Sequence, residues 1–198
     1  LMQLGHRVEA LAALWNVPYH QRVEILATLQ FSLLENESEA CLATVRAIPY
    51  YLTQAEALVE VASYLPEARR EQAYREALDL IEKIKMSETQ NVVASAWPDP
   101  FLYDSRRNVV EAEAWMGLSF YLLESQRTAL IRQVFATMRA IDFDYVWADG
   151  ATRLFPQLAQ SGYVQETWAL LLDKWQSQSW LTDQFVQLLA NLAPHLPE

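Results

Sequence analysis

Glu111 and Glu113 stand two positions apart in VVEAEAW, and paired carboxylates are what general acid and base chemistry needs. On a helix an i,i+2 spacing turns the two side chains to different faces, so this pair does not converge on one proton. The stretch IDFDYVWADG, Ile141 to Gly150, has the aspartate alternation of a calcium loop. That loop needs glycine at the sixth position, which here is Trp147, so Asp142 and Asp144 read as the N-cap and first-turn acid of a helix. His6, His20 and His195 lie far apart with no HExxH spacing, so no zinc site is expected. Cys41, the single cysteine, sits between Ala40 and Leu42 and reads as a buried, inert thiol. Neither GxSxG nor GxxxxGK[ST] occurs. The expectation is a chain with no catalytic set, no metal and no cofactor.

The elements that would position any site are helices. Only Gly5, Gly117, Gly150 and Gly162 occur in 198 residues, against a usual frequency of about 7%, so few positions can supply the positive φ of hairpin turns. Pro18, Pro49, Pro66, Pro98, Pro100 and Pro197 fall between apolar periodic segments, where they end helices rather than break them. A net charge of -10 disfavours nucleic acid and anionic membranes and favours neutral or basic partners. One cysteine excludes an internal disulfide and fits a reducing cytoplasm. The longest charge-free apolar run, Ala114 to Leu123, is far short of the ~20 residues of a membrane span, and Arg7 and Glu9 interrupt any signal-like start.

One seven-residue box recurs five times: LQFSLLE from 29, VASYLPE from 61, LSFYLLE from 118, LFPQLAQ from 154 and LAPHLPE from 192. Its fifth position is Leu33, Leu65, Leu122, Leu158 and Leu196. A second mark alternates with it: TVRAI ends at Ile48, LIEKI at Ile84, TMRAI at Ile141 and LLDKW at Trp175. Counted from the first box residue, positions -6, -3, 0 and +4 are apolar throughout, for example Ala55, Leu58, Val61 and Leu65. That spacing is one stripe on a helix, helix A of each unit, and the segment between box and second mark is helix B. A hairpin of this kind cannot bury its stripe alone and must stack on neighbours. The expected fold is all-α, an α-solenoid of about four antiparallel hairpins with half-repeats at both ends, forming one domain over 1–198. Because neither end has the polar cap that such arrays use, the chain is expected to be part of a longer array.

RAIPYYLTQAEALVEVASYLPE (46–67), LAQSGYVQETWALLLDKW (158–175) and NLAPHLPE (191–198) resemble the degenerate TPR- and HEAT-like helical repeats of bacteria. Such repeats often lie C-terminal to the nucleotide-binding module of STAND signalling ATPases. The resemblance implies a cytoplasmic sensor or partner-binding scaffold, with the nucleotide-binding module outside this segment. The glycine and tyrosine of the strict TPR pattern do not recur, which leaves TPR-like and HEAT-like stacking both open.

Offsets -5, -1 and +3 form a second helix stripe. It reads Glu24, Thr28 and Ser32; Glu56, Glu60 and Tyr64; Glu113, Gly117 and Tyr121; Asp149, Arg153 and Gln157; Gln187, Asn191 and His195. Stacked hairpins would bring these residues into an outward-facing acidic lane with tyrosines beside it, a groove for a basic or mixed peptide. The rival readings are a solvated helix face in a purely structural spacer, or an all-α enzyme with an acidic pocket. Trp15, Trp115, Trp168 and Trp175 read as packing residues, while Trp97 and Trp147 are less easily assigned.

Box starts at 29, 61, 118, 154 and 192 give steps of 32, 57, 36 and 38. The long step marks an insertion at about 85–107, ending in the stretch SAWPDPFLYDSRRN (95–108). A short helix over MSETQNVVASAW is expected, with Pro98 and Pro100 ending it and Asp104 or Ser105 capping the next. The insertion then either patches the stack, the favoured alternative, or projects Trp97, Tyr103, Arg106 and Arg107 as a binding edge.

Overall fold

The computed structural model describes residues 13, 35–88, 100–142, 144–177, 186, 188–190 and 192–195. Glu24 and Trp97 lie outside these residues, as does most of the short helix expected before Pro98. Among the described residues every regular element is helical. Chain packing separates two compact units, Leu1–Asn91 and Val92–Glu198, and the boundary falls in the interval where the periodicity is interrupted.

The first unit contains α1 (Glu35–Arg46), α2 (Tyr51–Ala62) and α3 (Glu67–Glu88). Helix α2 packs against both α1 and α3. Its stripe Ala55, Leu58 and Val61, continued by Leu65, is at most 1% exposed. Ala73, Ala77, Leu80 and Ile84 of α3 are buried as their spacing predicts, and each fully buried leucine or isoleucine contributes about 1.5–3 kcal/mol. Helix α3 does not stop at the LIEKI mark but runs on to Glu88. The reason is local: Lys85, Met86, Ser87 and Glu88 include no glycine or proline, so nothing there breaks the helix.

The second unit contains α4 (Pro100–Ser119), α5 (Glu124–Arg139), α6 (Asp144–Gln160) and α7 (Val164–Ser177), with a 3-10 turn at Ala193–His195. Helix α4 packs on α5 and on α6, and α6 packs also on α5, α7 and the 3-10 turn. One core joins them: Ala112 and Met116 from α4, Ile131 and Phe135 from α5, Trp147, Leu154 and Leu158 from α6, and Leu170 and Leu171 from α7. Trp147 meets Phe155 edge-on with ring centroids 5.5 Å apart. Gly150 lets α6 approach α4, because a Cβ there would lie 3.0 Å from a methyl of Val109.

Several boundaries differ from the sequence-based expectation. Helix α4 begins at Pro100, so Asp104 and Ser105 lie inside it rather than at its cap. Proline is well suited to a first helical turn, since its missing N–H would have no partner there and its φ is already helical. Trp175 is 38% exposed and so is not the packing residue expected, and Val186, at the apolar -6 position of the last box, is 59% exposed. At the end of α7 it is Lys174 that turns inward, its Nζ donating to the Ile141 carbonyl at 2.8 Å.

Both repeat marks recur as shared backbone geometry. In VASYLPE and LSFYLLE the helix ends at the second box residue and the next begins at the seventh, so these boxes are interhelical joints, with Leu65 buried and Leu122 half-buried. Tyr64 N–H donates to Val61 O (2.9 Å) and Leu65 N–H to Ala62 O (3.2 Å); Tyr121 donates to Leu118 O (3.0 Å) and Leu122 to Ser119 O (3.4 Å). At the same distance beyond each box start stand Arg70 and Arg127. Arg70 Nε donates to Leu65 O at 2.7 Å, and Arg127 donates to Ser119 O at 3.1 Å and Leu122 O at 3.5 Å. Each guanidinium thereby reaches back from the first turns of one helix to satisfy carbonyls of the joint that precedes it, and Arg127 also reaches Ser119, the last residue of α4. TVRAI and TMRAI match likewise, with Ile48 N–H on Val45 O (3.1 Å) and Ile141 N–H on Met138 O (3.4 Å). The fourth box, LFPQLAQ, is helical throughout. Helix α6 ends at Gln160 and is capped just beyond by Gly162 with φ +92°, where Tyr163 N–H bonds Leu158 O and Gly162 N–H bonds Ala159 O, both at 3.0 Å. This pair of bonds is a Schellman cap.

Candidate functional site

Helices α4 and α6 lie side by side, and each carries one copy of the -5/-1 stripe. The stripe positions Glu113 on α4 and Arg153 on α6 meet across the two helices, with Arg153 Nε 3.0 Å from Glu113 Oε1. On α6 itself, one turn separates Asp149 from Arg153, and the guanidinium Nη2 lies 3.0 Å from Asp149 Oδ2. The three charges form a seam in which one arginine spans two carboxylates. Glu113 is 11% exposed and Arg153 24%, whereas Asp149 is 52% exposed, so only one end of the seam opens to water. Burial draws the Arg153 guanidinium down to about 10, still above physiological pH, so it remains a cation between two anions.

In the first unit the same stripe holds Glu56, Glu60 and Tyr64 on α2 and the joint that follows it. Glu56 is 4% exposed, and Glu60 and Tyr64 are half-buried. Burial raises the Tyr64 phenol above its usual range; a hydrogen bond with Ser63 opposes the shift and the Glu60 charge adds to it. Tyr121, the counterpart of Tyr64, is also half-buried. The lane is therefore not the outward-facing acidic strip expected. Glu56 and Glu113 are covered because neighbouring helices pack along their flanks, and of the described acids in the lane only Asp149 is exposed.

The residues expected at the insertion divide similarly. Tyr103 is 6% exposed, and Arg107, 13% exposed, pairs with Asp104 at 3.0 Å. Arg106 is half-buried. Tyr103 and Arg107 thus belong to the packed helix α4 and do not project as a binding edge. Their i,i+4 spacing puts them on one helical face, and that face is the covered one. Trp147, uncertain from sequence, is a core residue at 1% exposure.

The arrangement missed by sequence reasoning is the pair of joint arginines. Its signal was present, since Tyr64, Leu65, Glu67 and Arg70 match Tyr121, Leu122, Glu124 and Arg127 in spacing. Lys174 was also missed; besides its bond to Ile141 O it lies 4.0 Å from Asp144 Oδ1. Cys41 is fully buried and burial pushes its thiol up to about 11, which leaves it inert as a nucleophile. Among the described residues, no group of three or more His, Cys, Asp or Glu side chains is arranged to hold a metal ion, and no helix is long and apolar enough to cross a membrane. Compared with known proteins, the chain matches no family model, no curated protein and no solved structure.

Proposed function

We propose that the chain is a stack of helical-repeat hairpins serving as a non-catalytic platform for a protein or peptide partner of basic or mixed charge. The observation that carries this reading is the Glu113–Arg153 contact at 3.0 Å: equivalent stripes on α4 and α6 adjoin in one charged seam, and a partner meets that seam at its open end, the exposed Asp149. The matching joints at 61–70 and 118–127 support a repeated hairpin unit. The net charge of -10 supports attraction of a cationic partner at long range. In this reading the segment is the sensor or scaffold part of a larger cytoplasmic bacterial signalling protein. Its support is the sequence resemblance to the repeat regions of STAND ATPases, and any nucleotide chemistry belongs to a module outside this segment.

The test is a titration, by fluorescence anisotropy, of a labelled peptide of alternating arginine and alanine against the wild type and Asp149→Lys. Asp149 is the exposed acid, so reversing it leaves the core intact. Affinity about tenfold lower in the variant, with an unchanged circular dichroism spectrum, is expected; equal affinity would remove the lane as the capture surface.

A further inference from the structure

Arg153 is held over the carboxylates that the proposed platform would offer to a cationic partner. Its Nε lies 3.0 Å from Glu113 Oε1 and its Nη2 3.0 Å from Asp149 Oδ2. Its backbone is one helical turn from Asp149 on α6, so the guanidinium is present at the high effective concentration of a tethered group. A partner's arginine or lysine must therefore displace this internal cation or share its acids. Asp149, 52% exposed, is where an incoming cation first meets the seam, and Glu113, 11% exposed, is reached only if Arg153 swings aside.

We infer that Arg153 is a built-in competitor, an autoinhibitory contact that keeps the acidic seam of α4 and α6 closed to cationic segments until one binds strongly enough to displace it. The inference rests on the proposed capture of a basic partner. Its physical basis is that one guanidinium neutralises two carboxylates, and that burial lowers the cation's own stability in this position, which reduces the cost of moving it toward water. The seam is thus weaker toward partners than its acid content implies and more selective, because only a segment carrying a well-placed cation can replace what it removes.

The test compares four proteins with the alternating arginine–alanine peptide by anisotropy at two salt concentrations: wild type, Arg153→Met, Arg132→Met and the double variant Glu113→Gln/Arg153→Met. Methionine keeps the apolar stem of Arg153 packed. Arg132 is exposed on α5 and serves as a control with the same change of net charge. The expected result is affinity about tenfold higher for Arg153→Met, a change under about twofold for Arg132→Met, and loss of the gain in the double variant. Equal effects of Arg153→Met and Arg132→Met, or weaker binding by Arg153→Met, would overturn the inference while leaving capture itself in place. If Arg153→Met fails to fold, Arg153→Gln, which removes the charge but keeps a polar head beside Glu113, takes its place: affinity above wild type keeps the inference, and affinity equal to or below wild type overturns it. No binding by the wild type and every folded variant would overturn the capture reading, and this inference with it.

Discussion

Arg153 of α6 reaches back to Glu113 of α4, Nε to Oε1 at 3.0 Å, and so ties two non-consecutive helices through the -1 position of one stripe and the -5 position of the other. With side chains only 24% and 11% exposed, the pair is too covered for water to replace a lost partner. A double-mutant cycle of Glu113→Gln and Arg153→Met is expected to show singles costing about 1–3 kcal/mol each and a coupling energy of about 1–2 kcal/mol in urea melts. Strictly additive effects would mean that the contact does not hold α4 to α6.

Gly162 carries the φ of +92° that the cap of α6 requires, and a Cβ there would meet nothing within 4 Å. The cost of Gly162→Ala is therefore backbone strain alone, about 1–2 kcal/mol. Gly162→Asn, which tolerates the left-handed region better, should lose less. Thermal denaturation of the two variants beside wild type gives the ranking, and alanine equal to glycine would contradict the cap.

Cys41 in α1 is at 0% exposure with its thiol pushed up to about 11. At pH 8 a soluble disulfide reagent should react with the native protein at least about a hundredfold more slowly than with the urea-unfolded chain. Fast reaction in native buffer would show that α1 opens freely.

Asp144 holds its proton more tightly than an ordinary carboxyl, chiefly through burial, with Lys174 opposing the shift and Asp142 adding to it. The folded state therefore binds the proton better than the unfolded chain does, and stability falls as pH rises from the ordinary value of 3.8 through the raised one. Asp144→Asn stays neutral throughout. Its Tm relative to wild type should rise between about pH 4 and about pH 7; a constant difference, or one that falls, would contradict the shift.

How far the sequence carried the fold is visible in particular residues. Ala55, Leu58, Val61 and Leu65 were legible as buried because apolar spacing of three and four commits a helix face to a core. TVRAI and TMRAI were legible as equivalent, and their hydrogen bonds agree. Glu56 and Tyr103 were not legible as covered residues, since spacing identifies the faces of one helix and not the neighbour that lies on each. Pro100 and Gly162 moved helix ends by a few residues, because local backbone chemistry at a first turn or a left-handed cap outweighs the register of an apolar repeat. Of the candidate site, the meeting of Glu113, Asp149 and Arg153 follows from the stripe; that an arginine neutralises the acids there required the side-chain geometry.

The most direct test of the capture lane is where a partner touches the protein. An alternating arginine–alanine peptide carrying a benzophenone group, irradiated with the wild type and mapped by mass spectrometry, should cross-link along the α4 and α6 stripe around Glu113, Asp149, Arg153 and Gln157. Cross-links confined to the outer faces of α5 and α7, or scattered over every exposed acid, would contradict it.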